Sequence, residues 1–171
     1  MTCSATIVTT IDMFDRFKIV DLYNLCKPSN LLTEDVFEKQ VRGEDISSEP
    51  ADVQAAAIEA ELKLCTACGD ADSYIELSFI TGRITIPLSP WPEAVVNHGC
   101  DLANFYLYDA GSTENDATRK IKYDAAMDFF NKIANGDLKF DIDDSQINKP
   151  VPWFKSNKRK FTVGETVTYG S

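Results

Sequence analysis

The chain has one histidine, two tryptophans and eight glycines in 171 residues, and what it lacks closes off several kinds of chemistry. No apolar run approaches the roughly 18 residues that would span a membrane as a helix, so no membrane partner is expected. Neither G-x-x-x-x-G-K nor G-x-G-x-x-G occurs, so no glycine-rich loop is available to cradle phosphates. No G-x-S-x-G is present either, which removes the sharp turn a serine nucleophile needs. The start, Met1-Thr2-Cys3-Ser4, lacks the basic opening and apolar core of a signal peptide. Five cysteines is an odd count and nothing points to secretion, so they are read as reduced cytosolic thiols. The acidic group Asp141, Asp143 and Asp144 lacks the ligand order of an EF-hand and reads as solvated charge.

What is present is a globular composition, 44% hydrophobic, in a length that suits one domain. Charge is divided unevenly. Residues 1–144 hold 26 acids and 12 bases, net −14, while residues 145–171 hold one acid and five bases, net +4. An acidic body repels phosphates and argues against wrapping nucleic acid. A basic end on such a body implies an arm that reaches a different, negative surface.

The chain reads as organised around one long helix. Val53, Ala57, Ala60, Leu64, Ala67, Ala71, Tyr74 and Ser78 recur at steps of 4 and 3, with Ile58, Leu62, Cys65, Ile75 and Phe79 as a second apolar row beside them. Pro50 and Asp52 suit its start, Glu59 and Lys63 can pair on its wet side, and Gly82 can take the left-handed position at its end. Pro87, Pro90 and Pro92 then force an extended connector. Before this helix, Thr9 with Asp12 forms a loose capping box, short helices are expected after Thr9, from Ile19 to Cys26 and from Thr33 to Val41, and 43–50 reads as a surface loop. After it, Trp91 to Tyr108 is helical, with Trp91, Val95, His98, Leu102 and Phe105 on one face. A last helix ends at Asn135-Gly136, with Ala117, Ile121, Ala125, Phe129 and Ile133 recurring every four residues. Beyond it, Leu138, Phe140 and Ile142 alternate with polar residues. Phe161, Val163, Val167 and Tyr169 do the same around a Gly164-Glu165-Thr166 turn, which predicts a hairpin in need of a neighbour.

Candidate chemistry is thin. Cys65-Thr66-Ala67-Cys68 falls mid-helix, where no helix N-terminus lowers a thiol pKa, and a zinc site would need two more ligands. His98 and Cys100, two residues apart on a helix, point to different sides. His98 with Asp101 could be read as a base and its orienter, but no nucleophile accompanies them. Packed thiols and a packed histidine are the preferred reading, so no catalytic residue, metal or cofactor is assigned. Trp153, Phe154, Lys155, Lys158, Arg159, Lys160 and Phe161 interleave bases with aromatics, a pattern suited to docking on an acidic protein surface with aromatic anchors.

Several segments in order resemble the phage Mu-type head–tail adaptor family. These are Ile11-Asp12-Met13-Phe14-Asp15-Arg16-Phe17; Tyr74-Ile75 near the end of the long helix; Gly82-Arg83-Ile84 and Ile86-Pro87-Leu88 with Pro90 and Pro92; Asp101-Leu102-Ala103 before Phe105-Tyr106-Leu107-Tyr108; and Tyr123-Asp124-Ala125-Ala126 with Ile133-Ala134-Asn135-Gly136. The likeness covers about residues 9–140. An insertion-like stretch around 31–50 and the long ending after 140 depart from it. The resemblance implies a non-enzymatic virion protein of the neck, made in the host cytoplasm. It implies a ring of about twelve copies beneath the portal. Such a ring extends the DNA channel, lets the genome pass its lumen without specific binding, and docks the next neck or tail protein.

The resulting expectation is a mainly α helical bundle around a long central helix (1–140), with an extended C-terminal arm of short strands or a hairpin (141–171). The arm, through the basic and aromatic residues above with Val163, Val167 and Tyr169, is expected to bind the portal protein. Arg83, Ile84, Ile86 and Trp91 are expected to make a subunit or neck contact. The alternatives are another neck component, a stopper or tail terminator of β-rich fold, a thiol or zinc enzyme using Cys65, Cys68, His98 and Cys100, or a helical binding module of the host.

Overall fold

The computed structural model describes residues 6–109 and 117–138. Its six elements are all helices: α1 Thr10–Arg16, α2 Ile19–Cys26, α3 Glu34–Val41, α4 Ala51–Thr81, α5 Glu93–Asp109 and α6 Ala117–Ala134. The division at residue 140 and the arm beyond it lie outside the described residues.

Local chemistry sets most helix ends. Thr9 caps α1: its Oγ1 accepts from Asp12 N at 3.2 Å, and the Asp12 carboxylate accepts from Thr9 N at 2.8 Å. Thr33 caps α3 by accepting from Val36 N, without a reciprocal bond. Pro50 sits at the N-cap of α4, and Pro92 supplies the carbonyl that Val95 and Val96 bond as α5 begins. The end of α6 is a left-handed cap at Gly136, φ 77°, with Asp137 N donating to Lys132 O and Gly136 N to Ile133 O.

Helix α4, 31 residues and about 46 Å long, touches each of the other five helices. It forms an α-helical trio with α5 and α6, and the α2 and α3 region meets it near Lys63 and Glu61. Ala57, Ala60, Leu64, Ala71, Ile75 and Phe79 on α4 are fully buried. The small side chains of Ala57, Ala60 and Ala71 let neighbours approach closely. Phe37 fills the space under α1 and α2, edge-on to Phe14 at 5.7 Å. At the crossing with α5, a Cβ on Gly99 would come within 2.4 Å of Val8 Cγ2 and 2.8 Å of Ile75 Cδ1, so a larger residue there would force these side chains to shift.

Three expectations need correction. The second apolar row of α4 divides: Ile75 and Phe79 are buried, whereas Ile58 and Leu62 are 49% and 54% exposed. The four-residue row on α6 also fails. Ile133 is buried, but Ile121 is 68% exposed and Ala117 and Ala125 face solvent, while Ala126 and Phe130 take the core positions. Each step of four residues advances about 40° beyond a full turn. Four such steps from Ala117 to Ile133 therefore wind around the helix instead of holding one face. Third, Gly82 does not adopt the left-handed conformation. Its φ is −71°, and Arg83, φ 61°, holds that position.

Candidate docking surface

The connector from Gly82 to Pro92 begins as a tight helix end. Arg83 N donates to Ile80 O at 3.0 Å and Ile84 N to Phe79 O at 2.9 Å, which satisfies the last carbonyls of α4. Gly82 is needed at this turn for a steric reason: a Cβ there would lie 2.3 Å from the carbonyl oxygen of Ile133 at the end of α6. The Ile86–Pro87 and Ser89–Pro90 peptide bonds are cis.

Of the four residues expected to make a neck or subunit contact, Ile84, Ile86 and Trp91 are half-buried against the chain's own core. The Trp91 ring meets Phe79 edge-on at 5.4 Å. Leu88 is buried between them in sequence. Arg83 is exposed, as are Pro87, Ser89 and Pro90. The connector thus turns Ile84, Ile86, Leu88 and Trp91 inward and leaves Arg83, next to the end of α4, exposed. A left-handed arginine costs about 1–2 kcal/mol of backbone energy. All of the arm residues from Trp153 to Tyr169 lie outside the described residues.

Two polar contacts that sequence reasoning missed tie the N-terminal segment and α1 to the long helices. Asp72 is buried in α4 and accepts backbone N–H bonds from Thr6 (2.6 Å), Ile7 (3.0 Å) and Val8 (2.8 Å), which pins the incoming chain to the long helix. The available signal was a carboxylate with apolar residues four before it, Cys68, and three after it, Ile75. Arg16 at the end of α1 grips Asp101 of α5 at 2.6 and 3.2 Å and donates to Asn97 at 2.9 Å. Asp101 is therefore the partner of Arg16. It does not orient His98, whose buried Nδ1 has no hydrogen-bond partner. The His98 ring stacks on Phe129 at 4.3 Å, and burial lowers its pKa, with Asp101 opposing and Arg16 assisting.

The thiols are equally placed for packing. Burial pushes both Cys26 and Cys100 up to about 12, with Lys63 pulling Cys26 slightly back and Asp12 adding to the rise at Cys100. Neither is a thiolate near neutral pH. Cys65 and Cys68 lie in the middle of α4. Among the described residues no cluster of three His, Cys, Asp or Glu side chains could hold a metal ion. An open cleft of about 350 Å³ lies between the end of α2 and the side of α4, bounded by Cys26, Pro28, Leu62, Lys63 and Thr66. Lys63, expected to pair with Glu59, donates to the Leu25 carbonyl at 2.7 Å beside it.

The described surface carries exposed apolar residues on α4 and α6 and an exposed Arg83. Residues 8–152 match the model of one protein family, bacteriophage Mu, Gp36. The chain belongs to the bacteriophage Mu Gp36 family. The Gp36 match takes in all six helices and runs on into the segment expected as the arm. It makes the chain a Mu-type phage protein, and the helical fold agrees with the structural component expected of it. The chain matched no curated protein and no solved structure. Among the described residues, no helix is long and apolar enough to cross a membrane.

Proposed function

We propose that this Gp36 family member is a head–tail connector of a tailed phage, a ring subunit that sits under the portal, extends the DNA channel and docks the next neck or tail protein. The observation that carries the reading is the family match across residues 8–152. Composition supports it. A body of net −14 over residues 1–144 would line a channel that repels DNA phosphates, so the genome slides without sticking. The basic, aromatic stretch from Trp153 to Tyr169 is suited to docking on an acidic portal surface, ordering there by strand addition. The exposed Arg83, held left-handed in the connector, is suited to a subunit or neck contact, since backbone strain persists where a position is used. A stopper or tail terminator of β-rich fold is disfavoured, because the six elements among the described residues are all helices.

The test is electron microscopy of the full chain mixed with its portal, beside a variant ending at residue 140. A ring on one portal face, lost with the shortened variant, is the expected result. Portal particles without added density, or purified necks without this chain, would overturn the reading.

A further inference from the structure

The outer side of α4 is covered by nothing in the described chain. Ile58, Leu62, Leu77 and Ile80 are 49%, 54%, 61% and 60% exposed. At about 100° per residue they lie within roughly 100° of one another on the helix. Between them, Thr66 and Ser73 turn their hydroxyls back to the Leu62 and Gly69 carbonyls, at 2.8 and 2.9 Å, so the middle of the face asks for no outside hydrogen bond.

Charge indicates what could cover this face. Helix α4 carries six acids and one base, and Glu59, Asp70 and Glu76 are exposed along it. Two copies of this face would repel each other. Among the six described helices, only α6 is net positive, with four bases and two acids. Its outer side carries Ile121, at 68% the most exposed of the described large hydrophobic residues, together with Lys120 and Lys132. Both lysines form exposed i, i+4 pairs with Asp124 and Asp128, and Lys120 also lies over the Tyr123 ring at 5.5 Å. Such pairs contribute little and are easily redirected.

We propose that the outer face of α4 docks the outer face of α6 from a second copy of this chain, with Ile121 of one copy against the apolar row of the other. The proposal rests on the ring reading above and names its subunit contact. Ile121 can seat beside Leu62, where the open cleft adjoins the row. Because the two faces differ, each copy offers one of each, and repetition joins copies head to tail into a closed ring where the rotation permits.

Sedimentation velocity over a concentration series, alone and with portal, tests this with three variants of the full chain. Leu77→Asp and Gly69→Leu block the α4 face, and Ile121→Asp blocks the α6 face. A Cβ on Gly69 meets nothing within 4 Å and leucine is the better helix former, so the Tm of Gly69→Leu should not fall. Each variant should weaken self-association at least about tenfold. Mixing Leu77→Asp with Ile121→Asp should restore one contact and yield mixed pairs that neither forms alone. If Gly69→Leu and Ile121→Asp assemble like the wild type, the named faces are wrong, while the ring reading stands. A wild type that stops at two copies keeps the pairing and removes the ring. A wild type monomeric at every concentration, with and without portal, overturns both.

Discussion

A Cβ placed on Gly82 would lie 2.3 Å from the carbonyl oxygen of Ile133, so the end of α4 rests directly on the backbone of α6. Gly82→Ala forces the two helix ends apart and should cost about 1–3 kcal/mol. The neighbouring Arg83→Gly should do the opposite. It relieves a left-handed side chain, φ 61°, offset in part by the greater freedom of glycine in the unfolded chain, for a gain of roughly 0.5–1 kcal/mol. Chemical denaturation of both variants checks the pair of signs.

Asp72→Ala should cost about 2–4 kcal/mol, because three backbone N–H groups, two of them in buried bonds, lose a charged acceptor at once. The loss should be local first. Amide exchange at Ile7 and Val8 should speed up more than exchange in the middle of α5, and hydrogen-exchange mass spectrometry reads that contrast.

Arg16→Ala leaves the buried Asp101 carboxylate without its cation. Arg16 is itself 29% exposed, so solvent softens the effect to roughly 2–3 kcal/mol. Adding Asp101→Asn to Arg16→Ala should recover part of the loss. Denaturation midpoints of the two single variants and the double variant give the coupling.

The half-buried His98 makes stability pH-dependent. Burial lowers its pKa from 6.5, so the unfolded chain holds the proton more readily than the folded one. Its contribution is complete above about pH 6.5 and is lost as pH falls through that value toward the folded one. His98→Phe keeps a ring against Phe129 and removes the partnerless Nδ1. The variant should show a flatter decline in Tm than the wild type as pH falls below about 6.5.

Cys26 and Cys100, raised to about 12, should resist alkylation near neutral pH in the native state. Cys65, half-buried, should be labelled ahead of both. Mass spectrometry after brief maleimide treatment, with a denatured control, measures the order.

Residue types at short range made much of the fold legible. Thr9 with Asp12, Thr33, Pro50 and Gly136 each mark a helix end because the cap is made within four or five residues of chain. The length of α4 and the prolyl stop after it follow from the same local chemistry. The residues expected to make a neck or subunit contact were legible only as a segment: periodicity could not tell that Ile84, Ile86 and Trp91 are half-buried against the core while Arg83 is exposed.

From the sequence alone came the helical class, the number and approximate ends of the helices, the acidic body and the basic end, all properties of near neighbours or of simple counts. Tertiary packing decided which side of α6 is buried, why Gly82 is a glycine, that Asp101 serves Arg16 and not His98, and that Ile58, Leu62 and Ile121 face outward. Each depends on where a second helix lies in space. A row repeating every four residues drifts about 40° at each step and by itself cannot say which part of its winding meets a partner.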